Sequence, residues 1–326
     1  MQNYKGESAD TVFIGGGTPT ILSAVQLEKL IRKCFENFDI SKEYEFSIEA
    51  NPGTLDDEKA KTLLSEGVNR ISVGVQSFND NELKAIGRIH SAKTAYNTIC
   101  RLKELGFENI NADIMTALPN QTAQSLMKTV ETAVTLPVTH ISAYSLIIED
   151  GTPMAEDYKN KKFAFADDDA DRDMYALVSK RLAESGFKRY EISNYAKDGF
   201  ECRHNIKYWQ CREYIGLGAA AHSYDGEVRC FNTSDLSEYI SGNFNKNSEK
   251  LTREDRISEF IFMGMRMEKG IDRSEFFKRF GTEIENIYGE TIDKFIKGGF
   301  IVQENSCYRF TDKGRDVSNS VLCEFV

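Results

Sequence analysis

No apolar run in the 326 residues is long enough to span a bilayer, and the opening MQNYKGESAD carries no hydrophobic signal-peptide core. A cytoplasmic chain is therefore expected. The seven cysteines (Cys34, Cys100, Cys202, Cys211, Cys230, Cys307, Cys323) are scattered and odd in number, which excludes a secreted disulfide framework and makes reduced thiols the expectation. The nearest pair, Cys202 and Cys211, is nine positions apart. Basic residues are outnumbered, 41 against 51 acidic ones, and the net charge of −10 argues against nucleic acid as the main partner. There is one tryptophan and there are four histidines, so each of these residues is informative where it falls. What is abundant is ordinary: 40% hydrophobic and 11% aromatic residues are enough to build a folded core. The length exceeds what one core usually organises, which predicts a large α/β unit with a smaller appended domain.

The first half repeats one phrase, an apolar strand followed by a polar turn and an amphipathic helix. Strands are predicted at Thr11–Ile14, Glu45–Glu49, Ile71–Val75, Ile110–Met115 and His140–Ile148, with helical periodicity in AVQLEKLIRKCFENF, DDEKAKTLLSEG and YNTICRLKELGF. Gly67 and Gly106 stand where a left-handed residue stops a helix. A parallel βα array follows, and in such arrays ligand-binding residues gather at the carboxyl ends of the strands. Unusual polar or glycine residues stand there: Gly15-Gly16-Gly17-Thr18, Glu49 in SIEANPG, Gln76 in GVQSF, Arg88 in GRIH and Asp113 in NADIMTALP. Three glycines let bare backbone approach a ligand. Taken singly, each of these residues is an ordinary turn or cap. An arginine among carboxylates and amides suits a zwitterionic, ribose-bearing ligand, since Arg grips a carboxylate bidentately and carboxylates accept from ribose hydroxyls.

The ordered set GGGTPT, SIEANPG, GVQSF, GRIH and NADIMTALP resembles the core of the radical S-adenosylmethionine (SAM) proteins, coproporphyrinogen dehydrogenase superfamily. The resemblance implies an α/β fold, a partial (β/α) TIM-like barrel. It also implies roles by motif: Gly16, Gly17 and Thr18 at the methionine amine of SAM, Glu49 as a SAM-contacting acid, and Gln76 and Asp113 at the ribose. Arg88 would face the methionine carboxylate and Ile147 the adenine. One departure is Ala117, at a position the family usually fills with glycine, which predicts a tighter or shifted turn after Asp113.

Farther on, Tyr190 to Tyr224 is rich in aromatics and glycine and contains His204-Asn205-Ile206-Lys207-Tyr208-Trp209, with His222 beyond it. Read alone, His204 is a surface or core histidine, and Tyr208 and Trp209 are packing residues at helical spacing. HNIKYW resembles the HNxxYW heme motif of the heme-chaperone branch. That likeness implies heme ligation by His204 or His222, with Tyr208 and Trp209 packing on the macrocycle. The implied cofactors are heme, SAM and a [4Fe–4S] cluster, but the family's CxxxCxxC cluster motif is absent from the sequence. The expectation is a barrel lacking its first βα unit through truncation or a misplaced start, a natural cluster-free relative being the alternative.

The expected layout is a barrel core over residues 1–160, a helical and aromatic elaboration carrying the heme motif over 161–245, and a small winged-helix-like C-terminal domain over 246–326. The expected function is heme binding and delivery to heme-accepting apoproteins. Homo-oligomers are left open, as is peripheral membrane association through a recipient protein. The alternatives are an oxygen-independent coproporphyrinogen III oxidase of porphyrin biosynthesis and a SAM-binding barrel without redox chemistry.

Overall fold

In a computed structural model, which describes residues 7–325, packing divides the chain into two compact units. The barrel unit holds the described residues up to Arg189 together with Ser193–Glu201. The C-terminal unit holds Tyr190–Ile192 and the described residues from Cys202 onward.

The barrel unit runs β1 (Ser8–Ile14), α1 (Ala24–Asn37), β2 (Asp39–Ala50), α2 (Asp57–Ser65), β3 (Arg70–Gln76), α3 (Asp80–Ala85), α4 (Ala92–Leu105), β4 (Asn109–Thr116), α5 (Ala123–Thr135) and β5 (His140–Ser145). It closes with α6 (Pro153–Lys159), α7 (Asp168–Glu184), β6 (Lys188–Arg189) and β7 (Asn194–Ala196). The sheet order is β1-β2-β3-β4-β5-β7-β6. The first five strands are parallel, and β7 and β6 add antiparallel edges. All five predicted strands are present. The helices start where side chains can satisfy free amides: Ser23 and Thr122 form capping boxes, and Asp56 and Ser91 accept from the first turn.

Alternation along the strands separates two faces. Phe46, Ile48, Ile71, Val73, Val75, Ile110, Ala112, Ile114, Ile141 and Ala143 are buried beneath the helices, which contribute Leu27, Ile31, Leu63, Ile99, Leu102, Leu126, Val130, Val178 and Leu182 to the same core. The intervening positions form the inner face and are polar: Ser47 and Glu49 on β2, Arg70, Ser72 and Gln76 on β3, Asn111 and Asp113 on β4, His140, Ser142 and Tyr144 on β5. Register aligns them, with Glu49 beside Ser72, Ser72 beside Asn111, and Asn111 beside His140.

The C-terminal unit begins with α8 (Arg203–Trp209), then β8 (His222–Tyr224), β9 (Val228–Asn232), α9 (Leu236–Ile240) and β10 (Asn245–Lys250), whose three strands form an antiparallel sheet in the order β10-β9-β8. After it come α10 (Arg253–Gly264), β11 (Ile271–Asp272), α11 (Arg273–Phe280), α12 (Glu285–Lys297), β12 (Ile301–Glu304), β13 (Cys307–Phe310), α13 (Asp312–Asp316) and α14 (Ser318–Leu322). Helices α10 to α12 precede the hairpin β12–β13, and the short β11 pairs with β13. They enclose a second core that includes Ile257, Phe260, Ile261, Phe276, Ile292, Phe295 and Phe310.

Candidate functional site

The strand ends of the barrel unit bring together most of the residues singled out from the sequence. After β1 the chain turns through Gly15, Gly16 and Gly17, all exposed. Gly15 has no room for a side chain, because a Cβ there would lie 2.9 Å from the Glu49 carboxyl and 2.8 Å from the Phe13 ring. The bare turn lets the Gly16 N–H donate to Glu49 Oε2 at 3.2 Å. Gly16 and Gly17 have φ of +82° and +145° and open space around them, a backbone cradle with nothing filling it. Thr18 caps the one-turn 3-10 helix Pro19–Ile21 through its backbone alone.

Gln76 ends β3 with φ +64°, an unusual conformation for a residue with a side chain. The Val75 carbonyl accepts the Ser77 N–H at 2.8 Å, closing a tight turn around Gln76, and it also lies 3.2 Å from Nε2 of the buried His90. The β3–β4 register shifts between Val73 and Gln76. Such irregularities re-aim side chains at functional sites. The Tyr144 hydroxyl donates to Gln76 Oε1 at 3.2 Å.

Asp113 is held from beneath. Asn111 Nδ2 donates to Asp113 Oδ1 and to Ser72 Oγ, both at 2.7 Å, and Ser72 Oγ donates to both Asp113 oxygens at 3.3 and 3.2 Å. Asn111 Oδ1 lies 2.6 Å from His140 Nδ1. His140 is fully buried and its pKa is pushed well down by burial and by the Arg70 charge, so a neutral ring donates to the amide. Burial also raises the Asp113 carboxyl pKa, opposed by hydrogen bonds from Ser142, Asn111 and Ser72 and by Arg70. Glu49 is raised by burial and by the Asp113 charge, against the Gly16 N–H. The Tyr144 phenol is raised by burial, and it responds to Asp113, Arg88 and Glu49 together, so these groups share one electrostatic space. Arg88 makes no ion pair among the described residues and is available to an anionic ligand. Ile147 follows β5 and is 80% exposed.

The supporting set Arg70, Ser72, Asn111, His140 and Ser142 was missed by reading the sequence for strand ends. The signal was present in the alternation of RISVGVQ, NINADIMT and HISAYS, which places polar residues at most of the alternate positions, Gly74 and Met115 excepted, of strands that run through a core. The turn at Ala117 is corrected in a specific way. Ala117 takes the left-handed conformation itself, with φ +56°, so the turn is kept at the expense of backbone strain.

The donor set tests the implied groups differently. The open glycine turn, paired acids and unpaired guanidinium suit the amino-acid end and ribose of SAM. For the cluster, the described residues contain no group of three or more His, Cys, Asp or Glu able to hold a metal ion, and the free cysteines lie apart. The cluster therefore does not fit the residues described.

The second candidate constellation lies in the C-terminal unit. In α8, His204 and Tyr208 share a face, with Nε2 and the phenol 3.2 Å apart and the rings edge to face at 5.2 Å. Tyr208 continues to Tyr214 at 4.7 Å and Tyr214 to Tyr224 at 6.3 Å. None of the α8 side chains is fully buried. Trp209 diverges from its neighbours: its ring lies beneath the Arg266 guanidinium at 4.5 Å, and its Nε1 is buried without a partner among the described residues. His222 is exposed on β8 and stacks on Phe231 at 5.2 Å.

The chain is similar to known proteins over most of its length. The model of the radical SAM superfamily matches residues 1–133, and that of the HemN C-terminal domain matches 251–317. The heme chaperone HemW of Lactococcus lactis is 38% identical, over 100% of this chain and 87% of its own length. The HemW proteins of Bacillus subtilis and Escherichia coli are 36% and 31% identical, over 97% and 98% of this chain and 85% and 84% of their own. Among solved structures, coproporphyrinogen III oxidase (HemN) from Escherichia coli superposes with a TM-score of 0.83 over 98% of this chain and 78% of that one. At 22% identity that match speaks for the fold alone. No described helix is long and apolar enough to cross a membrane. With strand-end residues, a radical SAM domain, a HemN-type C-terminal domain and near full-length relatives in agreement, the chain belongs to the HemW family of the radical SAM superfamily.

Proposed function

We propose that this chain binds heme through α8 and passes it to heme-accepting apoproteins, with SAM held at the strand ends of the barrel unit. The observation that carries the heme reading is the pairing of His204 with Tyr208 on one face of a helix none of whose side chains is fully buried. An imidazole presented in this way is a good axial ligand for heme iron, and the Tyr208–Tyr214–Tyr224 rings supply apolar area beside it. Ligation from a surface helix suits cargo that must leave again. His222, exposed on β8, is the reserve ligand. The HemW relatives, which carry the name heme chaperone, support the same reading.

At the barrel mouth, the Gly16–Gly17 turn and Thr18 would receive the methionine amine and Arg88 its carboxylate. Glu49 would contact SAM as an acid, Gln76 and Asp113 would accept from the ribose, and Ile147 would cover the adenine. Bound SAM would supply a sulfonium and an adenosyl group, while the chain's own residues bind and orient it. Asp113 does this with its carboxylate already fixed by Asn111 and Ser72.

Heme titration of the purified chain tests the reading. A Soret band should saturate at one heme per chain. His204→Ala should shift or abolish it, whereas His90→Ala, buried in the barrel unit, should leave it untouched. An unchanged spectrum in the double variant His204→Ala with His222→Ala would end histidine ligation.

A further inference from the structure

His204 stands on α8 with one of its ring nitrogens already engaged. Nε2, the nitrogen farther from the backbone, lies 3.2 Å from the Tyr208 hydroxyl, and the two rings meet edge to face with centroids 5.2 Å apart. Their four-residue spacing is what brings the two side chains onto one helix face. The phenol is braced in turn. Tyr214 meets the Tyr208 ring edge to face at 4.7 Å, and the Tyr214 backbone exchanges two hydrogen bonds of 2.9 Å with Tyr224. All of these residues belong to the C-terminal unit.

Burial raises the Tyr208 phenol pKa above its ordinary value, and the nearby Tyr214 and Cys202 add to the shift, so the phenol keeps its proton at neutral pH. The proton of the contact is therefore assigned to the phenol, which donates it to the lone pair on Nε2 of a neutral imidazole. That lone pair is also what a metal ion takes from histidine. Nε2 projects farther from the chain than Nδ1 and is the nitrogen that a broad, planar macrocycle can approach. The hydroxyl and the iron compete for one atom.

We propose that the Tyr208 hydroxyl is a built-in competitor for the axial ligand, a restraint on iron binding at His204 that rests on the heme reading above. On loading, the O–H···Nε2 hydrogen bond breaks and the Nε2–iron bond forms, while the phenol keeps its proton and turns to water. Unloading reverses both changes, and the recovered hydrogen bond offsets part of the lost iron–nitrogen bond. One hydrogen bond near the surface shifts such an equilibrium by about threefold to tenfold, little beside the iron–nitrogen bond itself. Tyr208 thus eases release without preventing loading, as a site that gives up its cargo requires.

Tyr208→Phe tests this, because it removes the hydroxyl and keeps the ring. Ferric protoporphyrin IX and iron-free protoporphyrin IX are each titrated into the full chain, wild type and variant, and followed by their Soret bands. The variant should bind the ferric compound about threefold to tenfold more tightly and pass it to added apomyoglobin more slowly by a similar factor, with the Soret maximum where the wild type has it. The iron-free compound presents no metal to Nε2 and should show no such gain. A folding defect or a lost contact would weaken binding, so the sign of the change separates competition from a structural role. Unchanged or weaker ferric binding by the variant, or an equal gain for the two compounds, overturns the competitor and leaves His204 ligation standing. If the wild type does not shift the ferric Soret band at all, the heme reading itself fails and the inference with it.

Discussion

The barrel mouth and the motif helix hold their candidate ligands in opposite ways. Asp113 is fixed by Asn111 and Ser72, and Asn111 is fixed in turn by a neutral, fully buried His140. Gln76 is trapped in a turn held at Val75 by His90 and Ser77. In α8, His204 is paired with Tyr208 near the surface, and no side chain of the helix is fully buried. The lesson is one of preorganisation. A buried polar network, once satisfied, positions a carboxylate without further ordering when a ligand arrives. A short surface helix leaves its ligand adjustable, as a site that loads and unloads cargo requires.

The sharpest way to break that contrast is to remove the support beneath Asp113. Asn111→Leu takes partners from His140, Ser72, Ser142 and Asp113 at once, and each buried polar group left without one is costly. Urea unfolding should show a loss of about 3 kcal/mol or more. His204→Ala, the variant expected to alter the Soret band most, should cost under about 1 kcal/mol by the same measurement. Comparable losses at the two positions would mean that the motif helix is as rigidly held as the barrel.

A second expectation concerns pH. The Glu49 and Asp113 carboxyls are both raised, chiefly by burial, so the folded state binds their protons more tightly than the unfolded chain does. Stability from these two groups is present at low pH and is lost as pH rises through their folded values. Glu49→Gln, which keeps an acceptor for the Gly16 N–H, should be more stable than the wild type at neutral pH. That advantage should shrink as the pH is lowered toward about 4.5, the ordinary range of a glutamate. An advantage independent of pH would mean that charge is not its cause. The smallest effect is expected at Ala117, whose φ of +56° glycine adopts without strain. Ala117→Gly should stabilise the chain by up to about 1 kcal/mol, read as a rise in the thermal midpoint.

Much of this was legible in the sequence because it is local. Strand and helix follow from apolar periodicity, helix stops from Gly67 and Gly106, both left-handed, and the HisxxxTyr spacing puts two side chains on one face of α8. The strand-end residues could be found because a parallel array brings the same end of every strand to one edge. By itself the sequence determined the βα array, the helix-then-hairpin C-terminal part and the ordered motifs of the family. Only the tertiary structure decided that Arg70, Asn111 and His140 form a buried polar layer under Asp113, that Ala117 keeps a glycine-like turn, and that the Trp209 ring lies beneath the Arg266 guanidinium. Those features depend on residues from distant segments sharing one enclosed space, where hydrogen-bond partners and charge are set by neighbours that no local pattern specifies.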